Sequence, residues 1–185
     1  TLTINKFTLS LEYTRGMKSI VLGGGCFWCI EAIFQRVNGV EKVVSGYAGG
    51  DLANPTYENH GTHAEVVQII YDPAVISLEK LLEIFFHVHD PTTVNQQGND
   101  IGPQYRSIIL CKNYLESDVA HNVIDGVKDL WKNPIVTEVQ ILDTFWPAEE
   151  YHQNYFNKNP QNAYCQFIIN PKLATFSEKF SEYVH

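Results

Sequence analysis

The order of the predicted elements indicates an α/β (α+β) two-layer sandwich, in which helices cover one face of an antiparallel-rich sheet. Short apolar runs bounded by Gly, Pro or Asp alternate with segments whose apolar residues recur at helical spacing. The first six elements follow one another as β-α-β-β-α-β, which is the split βαβ order of ferredoxin-like proteins. We therefore expect a ferredoxin-like βαββαβ core, with C-terminal additions after residue 113.

The six core elements follow from apolar periodicity and from stop signals. Ile30, Ile33 and Phe34 share one face of the first helix, which an Asn-Gly pair ends. Ser77 is the predicted N-cap of the second helix. The predicted strands cover residues 18–22, 40–47, 64–71 and 105–111, and the predicted helices cover 27–37 and 77–88.

The additions alternate between helix and strand. Residues 90–104 form a long loop rich in Asn, Gln, Gly and Pro, and a loop of that length in a compact domain is usually functional. We expect this loop, the end of the first strand and the start of the first helix to converge on one rim. The further elements predicted are a helix over 113–131, a strand over 138–142, a short helix over 148–157, a last strand over 164–169 and a terminal helix over 173–183.

The totals predict one globular domain over residues 1–185, with residues 1–16 as an N-terminal extension. The chain is 44% hydrophobic, unlike disordered proteins. Its formal net charge of −8 argues against a nucleic-acid partner, and no apolar run reaches the roughly 20 residues that span a bilayer. Four cysteines are too few for a disulfide scaffold, so we expect a reducing, cytoplasmic setting.

The segment Gly-Gly-Gly-Cys-Phe-Trp-Cys at residues 23–29 sets Cys26 between an apolar strand and a helix. At a helix start, unpaired N–H groups and the helix dipole favour the thiolate, which is the reactive form of cysteine. The glycines let the backbone turn sharply and leave the sulfur approachable. A small buried hydrophobe is the structural alternative, which the glycines disfavour. We therefore predict that Cys26 is a nucleophile.

The other cysteines have two interpretations each. Cys29, one turn after Cys26, either resolves an oxidised Cys26 as a disulfide or is a packed thiol. Cys165 is either a core residue or a second thiol at the site. Cys111 lies in an apolar strand, so we expect it in the core. The residues alone leave the choice between Cys29 and Cys165 open.

Several polar residues have structural explanations beside functional ones. Glu65 opens a strong β-run, either as an edge residue facing water or as an acid at the rim of a site. Tyr57 and Tyr105 stand at loop–strand junctions, where ring packing is common. Asp100 lies in a Gly-Asn-Asp-Ile-Gly segment that is typical of a turn. The residues alone favour the structural explanations.

A zinc site is the metal interpretation to consider, with His60 and His63 joining Cys26 and Cys29. A zinc finger has about three to five residues between its histidines. Here there are two. We therefore expect no metal site and no cofactor.

Six stretches together resemble a known family. They are GGGCFWC (23–29), SGYAGG (45–50), NPTY (54–57), HAEVVQIIYDP (63–73), HDPTTVNQQGNDIGPQYRS (89–107) and AEEYHQNYF (148–156). In this order, over roughly residues 18–170, they resemble the A-type peptide methionine sulfoxide reductases. Enzymes of this class reverse methionine sulfoxide formation. The resemblance implies an α/β sandwich that reduces methionine-S-sulfoxide, protein-bound or free, to methionine.

The resemblance implies catalytic roles for four of these residues. Cys26 matches the attacking cysteine, and Glu65 matches the acid beside the sulfoxide oxygen. Tyr57 and Tyr105 match two hydroxyls that also hold this oxygen. A sulfoxide sulfur is a poor electrophile until its oxygen is protonated or strongly hydrogen-bonded. A carboxylic acid with a raised pKa, flanked by two phenols, supplies this.

The resemblance also implies binding and recycling residues. Phe27 and Trp28 match the aromatic pocket for the methyl group, and Asp100 matches a polar residue that orients the site and contacts the substrate backbone. The sulfenic acid formed in the reaction must condense with a second thiol. Cys165 aligns with a resolving cysteine of the family, and Cys29 is the alternative. Thioredoxin is the usual reductant of the resulting disulfide.

Two other functions compete with this one. A general CxxC thiol–disulfide oxidoreductase fits residues 26–29 in isolation, although no thioredoxin-like context surrounds them. A non-catalytic binding module with a buried thiol pair is the second. Neither would turn over a sulfoxide, so an activity assay separates them from the reductase.

Overall fold

The computed structural model describes residues 16–185, and residues 1–15, nearly all of the predicted N-terminal extension, lie outside the described residues. The strands of the main sheet are β1 (Lys18–Gly23), β2 (Val40–Ala48), β3 (Ala64–Tyr71), β4 (Ile108–Cys111), β5 (Glu138–Ile141) and β6 (Trp146–Pro147). The α-helices are α1 (Phe27–Phe34), α2 (Leu78–Val88), α3 (Tyr114–Val127), α4 (Tyr155–Lys158) and α5 (Asn170–Lys179). Across residues 16–185, no helix has the length and apolar character that crossing a membrane requires.

The strands form a mixed sheet in the order β5-β4-β1-β3-β2-β6. The pairing of β4 with β5 is parallel, and the other pairings in this sheet are antiparallel. On one side of β3, Ile69 lies opposite Ile20 of β1, and on the other side Glu65 lies opposite Tyr47 of β2. The nearly continuous apolar sequence of β3 suits a strand that is buried on both faces. A mixed sheet with helices confirms the predicted α/β class.

The two faces of the sheet are covered differently. Leu22 points to the larger core, where it packs with Phe34 of α1 and Phe85 of α2. Its neighbour Val21 points to the opposite face and belongs to a smaller core, against which Phe145 packs. The helices therefore lie mainly on one face, and burial there fixes α1 against the sheet.

The segment predicted as a last strand, residues 164–169, is helical, so that prediction is wrong. A π-helical turn, Cys165–Ile169, leads directly into α5. Cys165 and Ile169 are buried whereas Phe167 is 75% exposed. A strand would put all three on one face, while burial at positions i and i+4 fits a helix. Branched and aromatic residues suit any half-buried surface, and here that surface packs against α1.

Other boundaries also differ from the prediction, and two of these differences concern the site. Tyr105 lies in a 3-10 turn, Pro103–Tyr105, and β4 starts only after it. The predicted helix over 148–157 is divided into a 3-10 turn, Glu150–His152, and α4, because Asn154 between them has a left-handed φ of 55°. Tyr105 and His152 therefore lie on turns, and both border the site described below.

One edge of the sheet gathers the elements that carry the predicted site. β1 ends at Gly23 and α1 begins at Phe27, so Cys26 lies between them. Glu65 is the second residue of β3. Because β1 and β3 are antiparallel, the end of β1 lies beside the start of β3. Cys26 and Glu65 therefore meet at this edge.

Candidate active site

Cys26 immediately precedes α1, at the turn that the three glycines make after β1. Gly25 has a φ of +99°, and a Cβ at this position would lie 2.7 Å from the side chain of Gln97. Both the left-handed backbone and this contact require glycine. Cys26 is 9% exposed, and its carbonyl accepts a hydrogen bond from the N–H of Cys29 at 3.1 Å. The sulfur is therefore held at the helix start, beside the long loop that the sequence marks as functional.

The thiols of Cys26 and Cys29 are hydrogen-bonded to each other. Burial, together with this bond, raises the pKa of Cys26 well above its ordinary value. The same bond acts in the opposite direction on Cys29 and outweighs burial, which lowers the pKa of Cys29 to about 7. The pair therefore loses its first proton more readily than a buried Cys26 thiol alone would, because one thiol donates a hydrogen bond to the thiolate of the other. The expected effect of the helix start on Cys26 alone is outweighed by burial.

Glu65 is a buried carboxyl, 2% exposed, at the start of β3. Its Oε2 accepts a hydrogen bond from the N–H of Phe27 at 3.2 Å, so it lies against the first turn of α1 beside Cys26. Burial raises the pKa of Glu65 to about 8, although the Phe27 N–H acts to lower it. The carboxyl therefore carries a proton at neutral pH and can donate it. This is the protonation state that the resemblance implies for the acid.

Tyr57 and Tyr105 come from separate segments, a polar loop before β3 and the turn before β4, and both lie near Glu65. Burial raises the pKa of Tyr57 to about 12, and the charges of Glu65 and Cys26 add to this effect. Burial likewise raises the pKa of Tyr105, which feels the same two charges. Both hydroxyls therefore keep their protons and can donate hydrogen bonds. The structure brings all four predicted catalytic residues together.

Phe27 and Trp28 form an aromatic wall with residues that follow β6. The centroid of the buried Phe27 ring lies 5.0 Å from that of His152. Trp28 stacks on Tyr155, with centroids 3.7 Å apart and an interplanar angle of 5°. The Trp28 Nε1–H donates to Nδ1 of His152 at 3.0 Å. Because each ring is fixed by another ring or by a hydrogen bond, the wall is a preformed apolar surface that suits a methyl group.

Asp100 belongs to a short ribbon, Gln96–Gln97 with Asp100–Ile101, inside the long loop. The Tyr164 hydroxyl donates to Oδ2 of Asp100 at 2.7 Å, and its oxygen lies 3.6 Å from Sγ of Cys29. Tyr164 therefore links the predicted substrate-contacting residue to the second cysteine of the pair.

Cys165 is the first residue of the π-helical turn Cys165–Ile169 and is fully buried. Burial raises its pKa, and the charge of Cys29 adds to this effect. Cys165 is therefore on the Cys29 side of the site. Cys111 is buried in β4, as expected.

Five residues that shape the site were not predicted from the sequence. Three of them lie within the matched stretch at 148–156, one within the stretch at 45–50, and one directly before Cys165. For four of them the only signal was an acidic or aromatic residue inside a matched stretch, which identifies a neighbourhood without assigning a contact, and the fifth lies outside every matched stretch. These residues are Tyr47, Glu149, His152, Tyr155 and Tyr164.

The two histidines considered as metal ligands have other contacts. Nδ1 of His63 accepts a hydrogen bond from the N–H of Gly50 at 2.9 Å, and its Nε2 lies 2.7 Å from the carbonyl oxygen of Leu52. Both ring nitrogens of His63 therefore bind backbone atoms of the polar loop. The His60 ring stacks on Tyr47, with centroids 6.2 Å apart. Within residues 16–185, no group of three or more His, Cys, Asp or Glu side chains could hold a metal ion.

Comparison with known proteins identifies the family. A family model described as peptide methionine sulfoxide reductase matches residues 18–184, from the start of β1 almost to the end of the chain. The chain belongs to this family. It is an oxidoreductase that reduces methionine sulfoxide, so the resemblance drawn from the six stretches is confirmed.

Individual relatives agree with this family. The peptide methionine sulfoxide reductase MsrA of Trichodesmium erythraeum is 52% identical over 174 residues, which are 91% of this chain and 98% of that protein. Among solved structures, Mxr1 from Saccharomyces cerevisiae in its reduced form matches with a TM-score of 0.76 at 35% identity, covering 80% of this chain and 89% of that one. Mxr1 in complex with Trx2 matches with a TM-score of 0.57 at 29% identity, covering 75% and 84%. These matches do not favour the alternative of a general CxxC oxidoreductase.

Proposed function

We propose that this reductase converts methionine-S-sulfoxide, in proteins, in peptides or free, to methionine, with Cys26 as the attacking thiolate. The buried carboxyl of Glu65 carries the proposal, because its pKa of about 8 keeps it protonated while it accepts the N–H of Phe27. A proton donor and a nucleophile thus lie together at the start of α1. Cleavage of an S–O bond by a thiolate needs both.

The first step transfers oxygen from the substrate sulfur to Cys26. The Cys26 thiolate attacks the sulfoxide sulfur while Glu65 gives its proton to the sulfoxide oxygen. The attack forms a bond between Sγ of Cys26 and the substrate sulfur. The substrate S–O bond then breaks as the protonated oxygen passes to Sγ, and the S–S bond breaks with its electron pair left on the substrate sulfur, which leaves Cys26 as a sulfenic acid. The substrate sulfur gains the two electrons that Cys26 loses and becomes the thioether of methionine. Tyr57 and Tyr105 donate hydrogen bonds to the oxygen as its charge develops.

The aromatic wall selects the epimer in this proposal. A sulfoxide sulfur is chiral, since it carries the oxygen, the methyl group and the rest of the methionine side chain. With the oxygen at Glu65 and the methyl group against Phe27 and Trp28, one epimer alone presents its sulfur to Cys26. We assign the S epimer, as the resemblance implies. Asp100, held by the Tyr164 hydroxyl, contacts the substrate backbone on the other side.

Cys29 is the proposed resolving cysteine. Its position one turn after Cys26 supports this, and the charge of Lys172 and the hydroxyl of Tyr164, which also act to lower its pKa, favour the thiolate that must attack the sulfenic acid. The attack forms a Cys26–Cys29 disulfide and releases the sulfenic oxygen as water. Cys165 is the alternative resolver, but it lies on the π-helical turn before α5, whereas Cys29 lies on the same turn as Cys26. Cys29 therefore needs the smaller movement.

Thioredoxin is the proposed reductant of this disulfide. A dithiol of its kind supplies two electrons and two protons and is itself oxidised to a disulfide. The structural match to Mxr1 in complex with Trx2 supports a partner of this type.

The assay for the proposal is methionine formation from each sulfoxide epimer, with dithiothreitol as reductant. We expect turnover of the S epimer, no comparable turnover of the R epimer, and loss of turnover in Cys26→Ser. Undiminished turnover in Cys26→Ser would contradict the proposal. Mass spectrometry after one equivalent of sulfoxide should detect a Cys26–Cys29 bond. A Cys26–Cys165 bond would instead assign resolution to Cys165.

We also propose a setting and an architecture. The four cysteines are free thiols, which supports a reducing, cytoplasmic location. The span of the family match, residues 18–184, supports a single catalytic domain. The order β4-β1-β3-β2 of the antiparallel strands supports a ferredoxin-like core, to which β5 and β6 add one strand on each side.

A further inference from the structure

Glu149 follows β6 and connects two segments of the site through its carboxylate. Oε2 accepts a hydrogen bond from the backbone N–H of Tyr57 at 3.1 Å. Oε1 accepts one from the hydroxyl of Tyr47 at 2.9 Å. One carboxylate therefore holds both the loop that carries Tyr57 and the strand β2.

The Tyr57 end of this connection needs an anchor. Tyr57 lies on an irregular polar loop and is 37% exposed, so little packing fixes it. Its ring rests against His152, with centroids 4.5 Å apart, and its backbone is bonded to Glu149. A hydroxyl that donates to a transition-state oxygen must be held within a fraction of an ångström. The Glu149 bond restricts the backbone from which this hydroxyl extends.

The Tyr47 end leads to the catalytic acid. Tyr47 is fully buried and lies directly opposite Glu65 in the pairing of β2 with β3. Side chains directly opposite each other in an antiparallel pair project on the same face of the sheet. Glu149 is therefore hydrogen-bonded both to Tyr47, which lies beside Glu65, and to Tyr57.

The charge of Glu149 strengthens both bonds. Burial alone would raise the pKa of Glu149, but the Tyr57 N–H and the Tyr47 hydroxyl outweigh it and lower the pKa below the ordinary value. The carboxylate is therefore ionised at neutral pH. Hydrogen bonds to an ionised acceptor are shorter and stronger than neutral ones.

We propose that Glu149 is a positioning residue for the sulfoxide oxygen, because its carboxylate fixes Tyr57 relative to the strands that carry Tyr47 and Glu65. The inference rests on the proposed function, in which Tyr57 donates to that oxygen. Glu149 itself touches no reacting atom in this scheme and acts through Tyr57. Its effect should therefore depend on whether the Tyr57 hydroxyl is present.

A double-mutant cycle tests this dependence. We expect Glu149→Ala to lower kcat/KM by roughly tenfold, as for loss of a charge-assisted hydrogen bond, mainly through kcat. Glu149→Gln keeps one carbonyl acceptor and should lose less. In a Tyr57→Phe background the Glu149→Ala penalty should largely vanish, whereas in a Tyr105→Phe background it should persist. Glu150→Ala is the matched control, since that side chain is 91% exposed and pairs only loosely with Lys158, at 3.8 Å.

The outcomes separate the inference from the function on which it rests. If the Glu149 penalty stays complete in the Tyr57→Phe background, the positioning role is overturned while the role of Tyr57 stands. If Tyr57→Phe alone leaves kcat unchanged, the proposed role of Tyr57 fails and the inference fails with it. Thermal unfolding of each variant checks that it folds. If Glu149→Ala does not fold, Glu149→Gln replaces it in the double-mutant cycle. An effect of Glu149→Gln on KM alone would also overturn the inference.

Discussion

Glu65 and Glu149 both lie beside Tyr47 and Tyr57, but their surroundings shift their pKa values in opposite directions. Glu65 lies at the buried start of β3, where one backbone N–H is its hydrogen-bond donor and its pKa rises to about 8. Glu149 lies on the rim after β6, where it accepts from Tyr57 and Tyr47 and its pKa falls. The same side chain is thus an acid in one region and an anion in the other.

Burial and the number of donors, rather than residue type, assign the two roles. A buried carboxyl with few donors is costly to ionise and keeps a proton that can be transferred. A rim carboxyl with several donors is ionised and serves as a fixed acceptor. Exchanging Glu for Gln at each position should therefore have unequal effects on rate and opposite effects on stability.

The largest effect is expected for Glu65→Gln on the chemical step. The substituted amide keeps the shape and an acceptor for the Phe27 N–H but has no acidic proton to transfer, so kcat should fall by roughly 10²–10⁴-fold with little change in KM. Glu149→Gln should reduce kcat by much less. Steady-state kinetics of both variants with the S epimer make the comparison. Equal losses in kcat would mean that the two carboxyls do not differ in role.

The next largest effect is expected on how the free energy of unfolding changes with pH. The pKa of Glu65 in the folded protein, about 8, exceeds its ordinary value of 4.5. Its contribution to stability is therefore complete below about 4.5 and is lost as the pH rises to about 8. Glu65→Gln should remove this loss and make the protein more stable than the wild type above pH 8, by on the order of a few kcal/mol.

Glu149→Gln should act in the opposite direction. Its pKa is lowered in the folded protein, so its contribution is present at neutral pH and is lost as the pH falls. Urea unfolding of Glu65→Gln at pH 5 and pH 9, and of Glu149→Gln at pH 7 and pH 3, reports the two trends, because the pKa of Glu65 is raised to about 8 and that of Glu149 is lowered below 4.5. Parallel trends for the two variants would contradict the assignment of opposite protonation states.

The smallest effect is the pH dependence of the wild-type rate. The thiol pair must lose a proton, governed by the pKa of about 7 at Cys29, while Glu65 must keep one, governed by its pKa of about 8. The profile of kcat/KM should therefore be a narrow bell between these values, falling about tenfold per pH unit outside them. In Glu65→Gln the alkaline limb should disappear. A wild-type rate that stays constant from pH 8 to pH 10 would refute the role of Glu65 as an acid.

Much of the central sheet could be predicted because strands such as β3 and β4 are nearly continuous apolar runs. The predicted bounds of the strand over 64–71 match β3, and Ser77 caps α2 as expected. The segment 164–169 could not be assigned in this way, because Cys165, Phe167 and Ile169 alternate like a strand while their burial is decided by packing against α1. Alternating apolar residues do not by themselves show which of them are buried, so they do not separate a strand from a helix in this segment.

Some residues of the site could likewise be predicted from the sequence, and others could not. Cys26 could be predicted from its position between β1 and α1, whereas the role of Glu65 is predicted only from the family resemblance, because the residues alone favour an edge residue facing water. Glu149 and Tyr164 could not, because their partners Tyr57 and Asp100 are 92 and 64 residues away in sequence, and turns of irregular backbone bring them together. Burial, which sets the pKa of Cys26 and Glu65, likewise depends on the whole fold.

The hydrogen bond between the thiols of Cys26 and Cys29 also bears on how long the enzyme survives oxidant. If Cys29 resolves the sulfenic acid as proposed, its sulfur lies on the same helical turn, so no distant segment has to travel and the entropy of closing a large loop does not slow its attack. The sulfenic acid would then be short-lived, and a second oxidant would have little time to convert it to the irreversible sulfinic acid. In this proposal, the compactness of the turn lets the reductase work repeatedly in the oxidising conditions that create its substrate.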